Sequence, residues 1–368
     1  MLRKNLFPVI CASGSPYDIG LTHGKEAKQQ IDVSVETYKA MFWDYSAIRW
    51  EDACAYAKNF IPIIDRYDPA YMKEIQGIAD GSGYRLEEIL VLNVRSEIVL
   101  QGDQVRRAGA TDGGCTSFVF TPHVTASGDT LLGQNWDWKH TMKEGCIILK
   151  IRQQGDKPDI VMVTEAGIIG KVGFNSAGIA VALNALGSDA IIPGDTIPLH
   201  IAMRGILDAH TLSDAIRAAT SVNLACCAHF MLASSKGEGI SLEIGPGDFD
   251  VLYAEDGFLA HTNHFITTRM DKVHDTTRVA LPDSFLRLGR IRTMVKHLDH
   301  KVSISDIRHM MADHTSYPDS ICRHDDLLEP EGKRFCTIFS LIIDLEREEM
   351  FFAPGNPCNT EYHRVDLK

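Results

Sequence analysis

The sequence changes its periodicity at one residue, and that change limits the folds open to it. From about residue 16 to 104 apolar residues recur at helical spacing: Tyr17 to Phe42, Ile48 to Tyr67, Pro69 to Ala79 and Leu86 to Val99. Strand signals are almost absent there. The polar stretch QGDQVRRAGATDGG then runs into Cys115, and strands take over. CTSFVFTP and DTLLGQNWDW flank the turn-like TASG, followed by CIILKIRQ, DIVMVTEAG, GKVGFNSAG and GIAVALNAL. A helix over Pro198 to Thr220 precedes HFMLASS, GISLEIG and FDVLYAEDGFLAHTNH, helices near 282–298 and 304–313, and the late strands CTIFSLIIDLE and EEMFFAPG. Such an order buries its apolar faces as two sheets between helical layers. Two segments are expected: 1–114, helical after a native strand in the start MLRKNLFPVICASG, and 115–368, sheet-rich. No internal repeat or low-complexity segment stands out.

The 368 residues carry 37 Lys+Arg against 49 Asp+Glu, a net charge of −12, and no long basic run. That excludes nucleic acid as the main partner, because phosphate neutralisation needs a concentrated basic face. No apolar run is long enough to span a bilayer, and Pro8 interrupts the apolar start, so a cytoplasmic protein with no membrane partner is expected. The nine cysteines are odd in number, irregularly spaced and without a CxxC, which suggests buried hydrophobes rather than a disulfide framework or a metal site.

Cys115 differs from the other eight by following Asp112-Gly113-Gly114 at the junction. Glycine frees the backbone and lets a thiol approach the preceding carbonyl. Attack on the Gly114 carbonyl, an N-to-S acyl shift and hydrolysis would leave Cys115 as a new N-terminus. Its α-amine would then have a pKa of roughly 7.7–8.0, near working pH, so one residue would hold both nucleophile and base. The bland alternative is a turn entering a strand with a buried thiol.

One hairpin on, GQNWDW brings Gln134, Asn135 and Asp137 back toward Cys115, with Asn135 and Asp137 on one face by the two-residue period. A carboxylate there can orient a terminal ammonium. Otherwise these are polar residues on a solvated strand face. In His261-Thr262-Asn263-His264 the Asn263 amide can donate to an oxyanion. The rival takes His261 and His264 as metal ligands, but the remaining ligands are not found at familiar spacing. Arg323 with Asp319, Asp325 and Asp326 reads as solvated loop charge or a substrate-facing patch.

In this order, DGGCTS, GQNWDW, TEAGIIGKVGFNSAGIAVALNAL, HTNH, PDS and YPDSICR closely resemble the acyl-coenzyme A:6-aminopenicillanic acid acyltransferase family of N-terminal nucleophile hydrolases. The resemblance covers nearly the whole chain. It implies an α+β fold, an αββα four-layer sandwich with an N-terminal helical segment, matured by cleavage between Gly114 and Cys115. Segment 1–114 would become the small subunit, remain tightly bound and wall the acyl pocket.

By the same resemblance Cys115 is the nucleophile, Asp137 and Asn135 orient its amine, Asn263 is the oxyanion donor and Arg334 is the late arginine near the thiol. Lys333 and Phe335 depart from the family's flanks around Arg334. Asn184, Gln134 and Thr116 fall in the substrate or oxyanion neighbourhood. Gln134 stands where bile-salt, penicillin V and ceramidase-like amidases usually carry arginine, which matches the acyltransferase branch. The implied activity cleaves a linear amide or thioester through an acyl-Cys115 intermediate and passes the acyl group to an amine or water. The alternatives are a plain amidase for N-acyl amino acids, peptides or β-lactams, and an uncleaved scaffold. No cofactor or metal is expected. Acyl-CoA is admitted as a substrate, and a homo-oligomer is left open.

Overall fold

The computed structural model describes residues 7–101, 114–190, 192, 194–330 and 334–367. Most of the polar stretch before Cys115, including Asp112 and Gly113, and Lys333 lie outside the described residues. After β1 (Val9–Gly14) come helices Pro16–Glu26, Lys28–Ser46, Trp50–Ala57, Ile61–Tyr67, Pro69–Ser82, Leu86–Asn93 and Arg95–Gln101. Helix Pro16–Glu26 starts in a capping box between Ser15 and Asp18. Asp68 caps Pro69–Ser82, whose end is set by Gly83 in the left-handed region.

These two helices touch backbone to backbone. A Cβ at Gly20 would lie 2.0 Å from the Glu74 carbonyl oxygen, and one at Gly77 would lie 2.2 Å from that of Tyr17. Gly24 and Gly81 repeat the pattern one turn on, so only glycine allows this approach.

The strands after the junction are β2 (Cys115–Phe120), β3 (Leu131–Lys139), β4 (Cys146–Gln153), β5 (Ile160–Glu165), β6 (Val172–Asn175), β7 (Ile179–Ala185), the short β8 (Thr196–Ile197) and β9 (Asn223–Leu224), β10 (Ala228–Ser234), β11 (Glu238–Gly245), β12 (Asp248–Tyr253), β13 (Phe258–His261), β14 (Phe335–Asp344), β15 (Glu349–Pro354) and β16 (His363–Asp366). β8 and β9 pair with each other, and the rest form an eight-stranded sheet, β1-β4-β5-β6-β7-β10-β11-β12, and a six-stranded sheet, β13-β2-β3-β14-β15-β16. β1 runs parallel to β4, so the mainly helical first segment also supplies an edge of the larger sheet.

Strand alternation builds the layers. In the six-stranded sheet Val119, Leu132, Leu341 and Ile343 join the main core shared with the larger sheet and the N-terminal helices. Their neighbours Phe118, Phe120, Leu131 and Ile342 face a second core with Leu288, Ile291, Ile307 and Met310 from helices Asp283–Lys296 and Ile304–Met311. The expected αββα order is thus present, with β2 and β3 adjacent interior strands of the smaller sheet. Among the described residues no helix is long and apolar enough to cross a membrane.

Candidate active site

Cys115 is the first residue of β2 and is buried. It pairs with Trp136 across β3, so its side chain shares a face with Gln134, Trp136 and Trp138, while Asn135 and Asp137 take the opposite face. The cavity against it is lined by Arg95, Val99, Trp136, Leu183 and Ala185, among others, and therefore draws on both sides of the Gly114–Cys115 bond. Its volume of about 30 Å³ admits a water or two.

The peptide bond before Cys115 is held at several points. The Gly114 carbonyl accepts from the Asp137 N–H at 2.8 Å. The Cys115 N–H donates to Asn263 Oδ1 at 2.8 Å. Arg287 donates through Nη1 to the Cys115 carbonyl at 2.6 Å and to Thr116 Oγ1 at 3.2 Å, and through Nη2 to Asn263 Oδ1 at 3.0 Å. Two donors converging on Asn263 Oδ1 fix the orientation of that amide, leaving Nδ2 on the Ala185 carbonyl at 3.1 Å. A Cβ at Gly114 would lie 2.9 Å from Asp137 Oδ2 and 3.2 Å from Arg323 Nε, so any side chain there would have to displace these charged groups.

Asp137 Oδ1 accepts from Thr337 Oγ1 at 2.7 Å, and Arg323 Nε lies 3.5 Å from Oδ2. Oδ2 itself has no hydrogen-bond partner among the described residues. Burial pushes this carboxyl up to about 6 against the opposing guanidinium groups of Arg323 and Arg287. Burial also pushes the Cys115 thiol up to about 11, with Asp137 adding to the shift and Arg287 and Lys171 opposing it. A thiol so shifted is protonated at neutral pH.

Beside the cavity lies a buried ionic cluster. Arg95 Nε is 2.9 Å from Glu165 Oε1, Lys171 pairs with the other carboxylate oxygen, and the Tyr38 hydroxyl donates to Oε1. Against the upward push of burial, Arg95 and Lys171 hold Glu165 well below the usual carboxylate range. Lys171 Nζ sits 4.0 Å from the Trp136 ring centroid, bringing the cluster against the wall of the cavity.

The other expected residues have partners of their own. Gln134 donates to the Leu183 carbonyl and accepts from the Leu183 N–H at 3.1 Å, clamping β3 to β7. Asn135 turns to the outer helical layer and donates to the Met311 and Ile321 carbonyls at 2.9 and 2.8 Å, because the two-residue period sends it away from the thiol. Asn184 accepts from Ser117 Oγ and lies 2.9 Å from His229 Nδ1, one step removed from Cys115. Arg334 precedes β14 and donates to the Glu329 carbonyl at 3.0 Å. The arginines that reach the Cys115 peptide and Asp137 are Arg287 and Arg323.

Arg323 is buried rather than solvated, pairing with Asp283 and Asp319 as well as Asp137. A sequence signal for both arginines exists in the hexapeptide Pro-Asp-Ser-x-x-Arg, which occurs as Pro282–Arg287 and as Pro318–Arg323. In each copy the aspartate pairs with the arginine four residues on. The histidines of HTNH do not converge on a common point: His261 Nε2 is 2.7 Å from Glu243 Oε1, and His264 Nδ1 is 2.7 Å from Ser284 Oγ.

A sandwich of two sheets between helical layers is the fold of the N-terminal nucleophile hydrolases. A single-residue variant of conjugated bile acid hydrolase from Clostridium perfringens shares this fold with a TM-score of 0.50 and 14% identity, over 69% of this chain and 92% of that one. Residues 124–359 match the family model described as acyl-coenzyme A:6-aminopenicillanic acid acyl-transferase. The 40 kDa form of acyl-coenzyme A:6-aminopenicillanic-acid-acyltransferase from Emericella nidulans is 31% identical over 354 residues, 96% of this chain and 94% of that protein. The chain belongs to the acyl-coenzyme A:6-aminopenicillanic acid acyltransferase family.

Proposed function

We propose that the chain is a self-processing cysteine enzyme that forms an acyl-thioester at Cys115. The observation that carries this reading is the hold on the Gly114–Cys115 peptide: its carbonyl accepts from Asp137 N–H and its N–H donates to Asn263. In the first stage Cys115 Sγ attacks the Gly114 carbonyl carbon, the C–N bond breaks, and the thiol proton ends on the new α-amine. Water then hydrolyses the thioester, leaving a Gly114 carboxylate and a free Cys115 thiol. Asp137 Oδ2, close against Gly114, is positioned to hold the ammonium so formed.

In turnover the α-amine takes the thiol proton and Sγ attacks the acyl carbonyl of an amide or thioester such as an acyl-CoA. The same proton passes to the leaving group, and water or a second amine resolves the acyl-enzyme. The donors for the oxyanion are the Asp137 N–H, released once Gly114 departs, and Asn263 Nδ2 beside Ala185 on the cavity wall. Arg287 is a positioning residue that fixes the start of β2. Segment 1–114 stays as the small subunit, because Arg95 and Val99 line the cavity and its helices share the main core. The acidic chain, with its nine cysteines unpaired, fits a reducing cytoplasm.

The test is a denaturing intact mass followed by an assay with an acyl thioester, with and without an added amine. Two fragments and Cys115-dependent acyl transfer support the reading. A single full-length mass with no acyl transfer would overturn it.

A further inference from the structure

Outside the active site, four nitrogen and sulfur ligands meet at the edge of the surface, from the buried Cys322 to the exposed His314 and Cys358. His314, just after helix Ile304–Met311, Cys322 and His324 on the following loop, and Cys358 in the turn between β15 and β16 place one ligand atom each within 4.8 Å of all the others. His324 Nε2 is the common vertex: it lies 3.1 Å from His314 Nε2, 3.5 Å from Cys322 Sγ and 3.5 Å from Cys358 Sγ.

These separations have the dimensions of a coordination tetrahedron. Zinc bonds of about 2.0–2.1 Å to imidazole nitrogen and about 2.3 Å to thiolate give tetrahedral edges of roughly 3.3 Å between nitrogens and roughly 3.6 Å between nitrogen and sulfur. Two imidazoles and two thiols with no carboxylate form the borderline-soft S₂N₂ set that selects zinc over magnesium or calcium. A supporting donor is also in place, since Asn356 Nδ2 lies 3.7 Å from Cys322 Sγ.

We propose that His314, Cys322, His324 and Cys358 bind one structural zinc ion. The sequence hides this set because its ligands come from separate segments, with Cys322 and His324 one residue apart and Cys358 far downstream. The consequence is local. Cys322 and His324 flank Arg323, whose carbonyl accepts from the same Asn356 amide at 2.6 Å. Zinc pins the backbone on both sides of the guanidinium that reaches Asp137 and Asp283, and ties that loop to the β15–β16 turn.

The inference goes beyond the acyl-transfer reading and does not depend on it, because metal content is read without substrate. The full chain, produced without a polyhistidine tag or chelator and purified under a reductant, is analysed for metals by inductively coupled plasma mass spectrometry. One zinc per chain is expected, falling to near zero in the C322S/C358S double variant. Since that variant can fail to fold, cobalt exchange into the wild-type chain gives a second reading: a thiolate-to-cobalt charge-transfer band with tetrahedral d–d bands, its charge-transfer intensity reduced in C358S. A wild-type chain that neither carries nor takes up zinc and shows no such band overturns the proposal. So does an unchanged zinc content in a folded double variant, or a Cys322–Cys358 disulfide in the reduced preparation.

Discussion

Arg287 Nη1 donates to the Cys115 carbonyl at 2.6 Å, so a residue in the outer helical layer holds the first residue of a strand in the smaller sheet. The same guanidinium reaches Asn263 through Nη2 and Asp283 through Nε, using all three of its nitrogens. Lysine keeps the charge but has no planar fork to make these bonds together. Arg287→Lys is expected to slow self-cleavage at least tenfold while the chain stays folded, as followed by gel over time beside a melting curve. Wild-type cleavage in a folded variant would remove Arg287 from the positioning of Cys115.

Cleavage before Cys115 predicts fragments of about 12.6 and about 28 kDa, the signature of this nucleophile chemistry. Cys115→Ala should give one uncleaved, inactive chain, because alanine has no atom to attack the Gly114 carbonyl. Acyl transfer by that variant would rule out the nucleophile assignment.

Buried Asp137 has its carboxyl pushed up to about 6. Its protonated form therefore favours the folded chain: this contribution is fully present below roughly pH 4 and is lost as pH rises through about 6. Self-cleavage runs the other way, since the carboxylate that holds the nascent ammonium forms as pH rises through that value. The cleavage rate should climb with an apparent pKa near 6 and lose that limb in Asp137→Asn. A pH-independent rate between 5 and 7 in the wild type, about one unit either side, would count against this role.

Asn263 can be divided by chemistry. Its Oδ1 accepts from Cys115 N–H, while Nδ2 is the donor proposed for turnover. Asn263→Asp keeps the acceptor and loses the donor, so it should still cleave itself but lose roughly 10²–10³ in kcat. Full turnover by the aspartate variant would leave the oxyanion to the Asp137 N–H alone.

At Gly20 an added Cβ would meet the Glu74 carbonyl oxygen at 2.0 Å. The obstacle is backbone, which cannot swing aside as a side chain does. Gly20→Ala should destabilise the chain by about 1–3 kcal/mol, read as a lower urea midpoint. An unchanged midpoint would mean that helices Pro16–Glu26 and Pro69–Ser82 separate at little cost.

The meeting of Cys115, Asp137 and Asn263 is legible in the sequence because each residue announces itself locally: a cysteine after glycines, a carboxylate one hairpin on, and a polar tetrapeptide closing a strand. The layered fold was legible too, since helical and strand periods occupy separate stretches. Arg287 and Arg323 share the Pro-Asp-Ser-x-x-Arg signal, but their contacts do not follow from it, because an arginine on a helix or in a loop reads as solvated until its buried partners are known. Hairpin spacing and the family resemblance put Gln134 and Asn135 near the thiol; Gln134 shares its face of the sheet but clamps Leu183, and Asn135 ties down Met311 and Ile321. Spacing fixes the side of a strand, whereas a side chain's role depends on what the opposing layer offers.

β1 belongs to the segment before the proposed cut, yet it hydrogen-bonds in parallel along β4, which lies after it. Once Gly114 and Cys115 part, that ladder joins two polypeptides, and reassembly becomes a second-order process. The precursor could refold after denaturation at any dilution. The mature pair would recover at a rate and yield that fall with concentration. Covalent continuity would then serve as a folding aid used once, with the persistence of the active pair governed afterwards by how slowly its strands and helices let go.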